Sequence, residues 1–302
     1  MYTYPQSFAD ATAEEALAFL KSPTLLARRF AEIVAARGFL AHKILAGRYK
    51  MVGGAIVYIP DEAVEADQPS ERIKPGGEYP LIELQADQTA IVEAMKKGLG
   101  TIVTDESVGR LAMDPIERAI AMLANKQISE FDEAALAVIQ SRITEQVTGA
   151  AWTSGKQIVT DIAKAKAHIK SHRLGYEADA VILTDTQWAE ISGDVLEVLP
   201  RETGNAALSG AFPNFMGVTW LHSSDLPSGW VPTVVDTANL GGIGHEDIPS
   251  PEYVARQIGD GLPVEVARYR ENTDSTRIQV RKTDVPVVRN AKAGVEITST
   301  GL

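Results

Sequence analysis

The stretch that opens at Asp114-Pro115 constrains this chain more than any other. Ile116, Ile120, Leu123, Ile128, Phe131, Ala135, Val138 and Ile143 recur as one apolar stripe at helical spacing. Asp is a preferred N-cap and Pro fits the first helical position, so a helix is predicted from Asp114 to about Thr144. At 1.5 Å of rise per residue it spans roughly 45 Å, well beyond the usual helix. The stripe drifts and the outer face lacks patterned charges, which argues against a dimeric coiled coil. Such a helix is read as the spine of an elongated domain.

The layer for it to cover lies at the other end of the chain. VEVARYRE (264–271), TRIQVRKT (276–283), VPVVRN (285–290) and VEITS (295–299) read as short alternating strands, with NTDS (272–275) as a hairpin turn. KKGLGTIVTDE (96–106) adds a strand before the spine. Between the two halves, residues 156–262 alternate strand and helix. A helix over about 155–171 carries Ile158, Ile162, Ala165 and Ile169; the strand ADAVILT (178–184) leads into a short helix capped by Asp185 with Trp188 and Ile191 inward; FMGVTWLHS (215–223) and VPTVVDT (231–237) are further strands. This α/β segment is read as an insertion into a helix-plus-sheet domain.

The N-terminal part is of another kind. The first forty residues read as helix, with Leu25, Leu26, Phe30, Ile33 and Val34 at helical spacing and Gly38 as a stop. They are too poor in apolar residues for a domain and are expected to pack on something else. VGGAIVYI (52–59) and YPLIEL (79–84) read as strands around an acidic stretch with Pro60, Pro69, Pro75 and Gly76-Gly77. A long two-stranded excursion is marginal alone in water and should lie on a partner surface. Charge splits at the same place. Residues 21–50 hold Lys21, Arg28, Arg29, Arg37, Lys43, Arg48 and Lys50 against Glu32; residues 51–90 hold Arg72 and Lys74 against Asp61, Glu62, Glu65, Asp67, Glu71, Glu78, Glu83 and Asp87. The two segments are candidates to attract one another, within a chain or between neighbours; the alternative is two solvated faces.

Composition removes several chemistries. There is no cysteine, hence no disulfide, thiolate metal site or cysteine nucleophile. A net charge of −11 argues against gripping phosphate backbones as the main task. No apolar run reaches membrane-span length, and the first twenty residues do not have a secretory pattern. His168 and His172 stand at the i, i+4 spacing that can hold zinc, but no third ligand is close in sequence, and they are read as a solvated polar face. GGIGHED (241–247) is read as a turn, since it fits neither a dinucleotide nor a P-loop pattern. SSDLPSG (223–229) is a loop, and no G-x-S-x-G elbow occurs. No cofactor, metal or catalytic residue is assigned. A catalytic α/β domain over 156–262 stays open as a rival, without a named pocket.

The order of these elements resembles the major capsid proteins of tailed bacteriophages of the Hong Kong 97 type, over nearly the whole chain. KKGLGTIVTDE is similar to the family's strand before the spine helix, ADAVILTDTQWAEI (178–191) to the opening of its axial domain, and NFMGVTWLHSSDLPSG (214–229) to a stretch recurrent in it. The resemblance implies an α+β fold with an N-terminal arm (1–46), an E-loop (47–86), a P-domain with the spine helix (87–155), an inserted A-domain (156–262) and a returning P-domain sheet (263–302). It implies pentamers and hexamers of this chain in an icosahedral shell around double-stranded DNA, without sequence-specific binding. A separate scaffolding protein, a portal and a decoration protein are the implied partners; the chain enters its arm at once, so a fused scaffold is not expected. The implied location is the virion capsid, assembled in the host cytoplasm. Candidate contacts between subunits are Arg28, Arg29, Arg37, Arg48 and Lys50 facing Asp61, Glu62, Glu65, Asp67, Glu71, Arg72 and Lys74. Some relatives join an E-loop Lys to a P-domain Asn with the help of a Glu; Lys74, Asn290 and Glu296 supply those types here. An encapsulin-like bacterial compartment shell is the alternative on the same fold.

Overall fold

The computed structural model describes residues 11–60, 89–198, 217–259 and 261–302. The spine is present as α5 (Asp114–Arg142), and its buried face is the stripe read from the sequence, with Ile116, Ile120, Leu123, Phe131 and Ala135 in the core. Its cap differs by one position. Met113 is the N-cap and Asp114 the first helical residue, followed by Pro115, where a missing N–H costs nothing.

The chain begins with α1 (Ala13–Leu20), α2 (Pro23–Arg37) and α3 (Leu40–Ile44). Thr12 and Glu15 form a reciprocal capping box at the start of α1, and Gly38 stops α2 at φ +72°. Leu26, Phe30 and Val34 are buried, so the N-terminal helices complete the core of their own chain.

Three sheets follow. The largest contains β1 (Gly47–Lys50), β4 (Met95–Thr104), β9 (Gly241–His245), β10 (Tyr253–Gln257), β11 (Pro263–Arg270) and β12 (Ser275–Val288). β12 organises it: residues 275–284 pair with β4, residues 276–281 with β11, and residues 284–288 with β9. The sequence reads two strands here; the structure has one of 14 residues that continues through Pro286. The hairpin turn after β11 is where NTDS places it. α5 packs across β4 and β12, and α4 (Asp105–Leu111) joins β4 to it. The second sheet has the order β5 (Gln146–Thr148), β13 (Gly294–Thr298), β8 (Thr233–Val235), β6 (Ala180–Thr184), β7 (Thr219–Ser223). It carries α6 (Gly155–Ser171) and α7 (Asp185–Val198). Asp185 is the first residue of α7 rather than its cap: the Thr184 hydroxyl accepts the Gln187 N–H while Gln187 Oε1 accepts the Thr184 N–H. β13, read from the sequence as part of the spine's sheet, pairs instead with β5 and β8. The third sheet is a ribbon of β2 (Ala55–Tyr58) and β3 (Ala90–Glu93); the predicted strand 79–84 lies outside the described residues.

GGIGH is not a turn. It is β9, buried between β1 and β12. The glycines are required by proximity: a Cβ on Gly242 would stand 2.5 Å from the Gly47 carbonyl, and one on Gly241 would stand 2.1 Å from the Val287 oxygen. Two short segments connect the large sheet to the second one, 236–240 between β8 and β9 and 289–293 between β12 and β13. They bond to each other: the Arg289 and Asn290 N–H groups donate to the Leu240 carbonyl, the Asp236 N–H donates to Ala293, and Asn290 Nδ2 donates to Asn239.

A buried ionic cluster crosses the core. Lys282, 3% exposed, contacts Asp284 at 2.8 Å and donates to His42 Nε2 at 2.9 Å. Its ammonium sits over the Phe39 ring at 3.9 Å and the Phe131 ring at 4.4 Å. Asp284 also meets His245 Nδ1, and His245 Nε2 reaches Asp247 at 3.1 Å. Burial opposes charge on His245, but Asp284 and Asp247 outweigh it and its pKa is raised. Burial likewise opposes charge on Asp284, and Lys282 and His245 outweigh it and hold the pKa down. Asp132 on α5 accepts the N–H groups of Leu40 and Ala41 at the start of α3; burial dominates and pushes its pKa up to about 6.

Three outcomes are expected. Gly242→Ala should destabilise the subunit by about 2–3 kcal/mol in urea unfolding, because backbone has to shift. Asp284→Asn should cost about 3–5 kcal/mol, since it leaves Lys282 buried without its carboxylate. For pH, Asp132 binds its proton more tightly when folded, so it lowers stability as pH rises from 3.8 to about 6. His245 has the raised pKa of a paired cation: its stabilisation is full below 6.5 and is lost as pH climbs through the folded value. The urea midpoint of the unassembled subunit should therefore decline further above pH 6.5, and His245→Gln should remove that later decline while keeping the earlier one.

Candidate inter-subunit surface

The predicted charged contacts divide into three groups. Asp61, Glu62, Glu65, Asp67, Glu71, Arg72 and Lys74 lie outside the described residues. Two of the predicted cations are held inside their own chain. Arg29 forks onto Glu117 of α5, with Nε at 2.9 Å and Nη2 at 2.6 Å. Arg48 donates to the carbonyls of Leu45, Gly47 and His42, closing the turn from α3 into β1. Arg28 faces solvent and pairs with Glu32 one turn on, at 3.0 Å. Arg37 ends α2 and Lys50 ends β1, both exposed. Lys50 and Arg48 border a shallow groove of about 470 Å³ beside β10, with His245 and Asp247 on its wall. Asn290 and Glu296 are both engaged locally, Asn290 with the Asn239 carbonyl at 2.7 Å and Glu296 with Gln146 Nε2 at 3.0 Å.

The structure adds an apolar surface that charge reasoning missed. The β2–β3 ribbon covers the small cluster of Met51, Val285 and Val287 with Ile56, Tyr58 and Val92. The opposite face holds Val57 and Ile91, directly paired across the strands and 61% and 66% exposed. Val52 and Met95, on either side of the ribbon in the chain, are exposed as well. A two-stranded ribbon with β-branched residues on both faces has one apolar face too many for a single chain. The signal was in the sequence: AIVY is a continuous apolar run, which marks a strand covered on both sides. Beneath the ribbon, a cleft of about 420 Å³ opens between α5 and the β4–β12 pair, lined by Met95, Leu99, Phe131, Ala134, Val138 and Val280 among others. A second exposed set, Ile102, Leu111 and Met122, borders a groove of about 450 Å³ where β4, α4 and α5 meet.

The groups that a catalytic reading would use have other neighbours. Asp185, the first residue of α7, accepts from His222 Nδ1 at 2.6 Å, and that imidazole stacks flat on Trp188. Ser223 Oγ accepts the Asp225 N–H. The glycines of 241–244 bring strands together. Among the described residues no helix is long and apolar enough to cross a membrane.

Comparison with known proteins agrees with this architecture. The virus-like particle of Pyrococcus furiosus superposes with a TM-score of 0.57 at 11% identity, covering 90% of this chain and 97% of that one. The protein of Microbacterium phage Oxtober96 gives 0.56 at 12%, covering 87% and 91%. The capsid of cyanophage P-SCSP1u gives 0.53 at 12%, covering 83% and 85%. At these identities the likeness is one of fold. No curated protein matches the chain by sequence. The family described as phage capsid protein does match, over residues 87–297, from the segment leading into β3 through the spine and both larger sheets to β13. That span is well over half of the sequence, and the chain belongs to the phage capsid protein family.

Proposed function

We propose that copies of this chain form pentamers and hexamers that close into an icosahedral shell around double-stranded DNA, as the major capsid protein of a tailed phage. The observation that carries this reading is the family match over residues 87–297. In this reading residues 1–46 are the arm, 47–86 the E-loop, 87–155 and 263–302 the P-domain, and 156–262 the A-domain, with β9 and β10 of 156–262 in the large sheet and β5 and β13 in the second. The role is structural. The shell forms in the host cytoplasm with a separate scaffolding protein, and a portal and a decoration protein complete the virion. The fold is shared with a virus-like particle from Pyrococcus furiosus; membership of the phage capsid family favours the phage shell over a compartment shell.

The physical support is the ribbon. Its outer face needs apolar cover, and a neighbouring subunit supplies it when the E-loop lies across the capsomer. Of the predicted cations, Arg37 and Lys50 are exposed at element ends where they could meet the E-loop acids, and Arg28 would share its charge between Glu32 and those acids. Each exposed pair contributes about 1 kcal/mol at most, so apolar contact has to dominate each interface, with charge setting register.

Val57→Asp with Ile91→Lys should leave a folded subunit by circular dichroism while shells vanish from negative-stain images and light scattering. Normal shells from that double variant would overturn the ribbon contact. Arg37→Glu with Lys50→Glu should weaken assembly, with a smaller effect that fades at high salt. The Lys74–Asn290 link, assisted by Glu296, is the covalent extension of the reading. Because the Asn290 amide is already held by Asn239, boiled particles are expected to run as a single monomer band; a ladder of multimers would establish the bond.

A further inference from the structure

The helical pair His168 and His172 gains a third group in the fold. His168 lies in the last turn of α6 and His172 is its C-cap. Glu145 arrives from the segment between α5 and β5, where its carbonyl accepts the Glu296 N–H at 2.9 Å. Its Oε2 is 3.1 Å from His168 Nε2. The two imidazoles stand edge to face with centroids 5.3 Å apart. One potential ligand atom from each of the three residues lies within 4.8 Å of the others.

Two zinc ligands at the usual bond lengths of about 2.0–2.1 Å stand roughly 3.3 Å apart in a tetrahedron. Glu145 and His168 are already at that separation, and His172 offers a ring nitrogen within 4.8 Å of a ligand atom of each. Two further observations point the same way. His172 Nε2 is buried and has no hydrogen-bond partner among the described residues, a costly state for a ring nitrogen. The C-terminal end of a 17-residue helix also carries partial negative charge, which favours a cation there.

We propose that Glu145, His168 and His172 bind one first-row divalent transition-metal ion, of the zinc class, per chain. Two imidazoles and a carboxylate suit zinc, nickel or copper rather than magnesium or calcium. Three protein ligands leave a fourth position for water or for a group from a neighbouring molecule. The ion would clamp the exit of α5 to the end of α6. This site does not depend on the shell reading, since the residues all come from one chain.

The test is calorimetric titration of zinc ion alone into the full-length, unassembled chain after removal of adventitious metal with a chelator, at neutral pH. One zinc per chain is expected, with a rise in melting temperature. His168→Ala, His172→Ala and Glu145→Gln should each weaken binding by about tenfold or more, and His222→Ala should leave it unchanged. Glu145→Gln keeps the size and hydrogen bonding of the site, so it serves if an Ala variant fails to fold. A protein that takes up no stoichiometric zinc has only a His168–Glu145 hydrogen bond there, and the proposal falls. It falls equally if the Glu145→Gln and His172→Ala variants bind zinc as the parent does.

Discussion

Lys282 is the group whose burial the rest of this fold has to answer. An ammonium in a protein interior is tolerated only where charge and polarisable faces surround it. Here the partners come from three parts of the chain. Asp284 lies two residues on along β12, His42 comes from α3, and Phe39 and Phe131 come from the start of α3 and from α5. Asp284 then recruits His245 from β9. One cation thus fixes the N-terminal helices, the spine and the sheet in a single register. Well-packed apolar groups can match the stability of a buried ion pair, but a pair that is present makes a strict geometric demand, because removing either partner strands a charge. A second tie, the Arg29–Glu117 fork, repeats the link between α2 and the spine near the surface.

The spine was legible because its stripe repeats at eight positions, enough to fix both period and face. α6 and the β6–α7 unit were legible for the same reason. β9 was not, since GGIGH offers no side-chain pattern to read; its strand character comes from the backbones beside it, Gly47 on one flank and Val287 on the other. β12 read as two strands because Pro286 lacks an N–H and Asp284 is charged. In the fold that carboxylate is a buried counterion, a role visible only once Lys282 and His245 stand beside it. β13 shows a further limit. Alternation reveals which face of a strand is buried, but not which sheet receives it.

The charged surface was legible as composition but not as pairing. Arg29 and Arg48 belong to the basic segment, yet their partners are a glutamate 88 positions away and three nearby carbonyls. The outward Val57–Ile91 pair is the more specific sign of an absent neighbour. Burial there, unlike a screened ion pair, gains from each apolar group removed from water. Glu145 teaches the same lesson for the His168–His172 pair: the helix supplies two groups at a fixed spacing, and the third arrives from a different element through tertiary folding.

The paired connections 236–240 and 289–293 also have a mechanical meaning. They cross between the two larger sheets side by side and are tied to each other through the Leu240, Asn239 and Ala293 carbonyls. A force pulling the sheets apart is therefore carried by these two covalent strands in parallel, beside the separate link from α5 into β5, and a twist between the sheets first has to shear the bonds that join the two strands. In a closed shell, any tension between the two sheets would run through this joint in every subunit. A single-stranded connection would act as a hinge; this one acts as a braced strut.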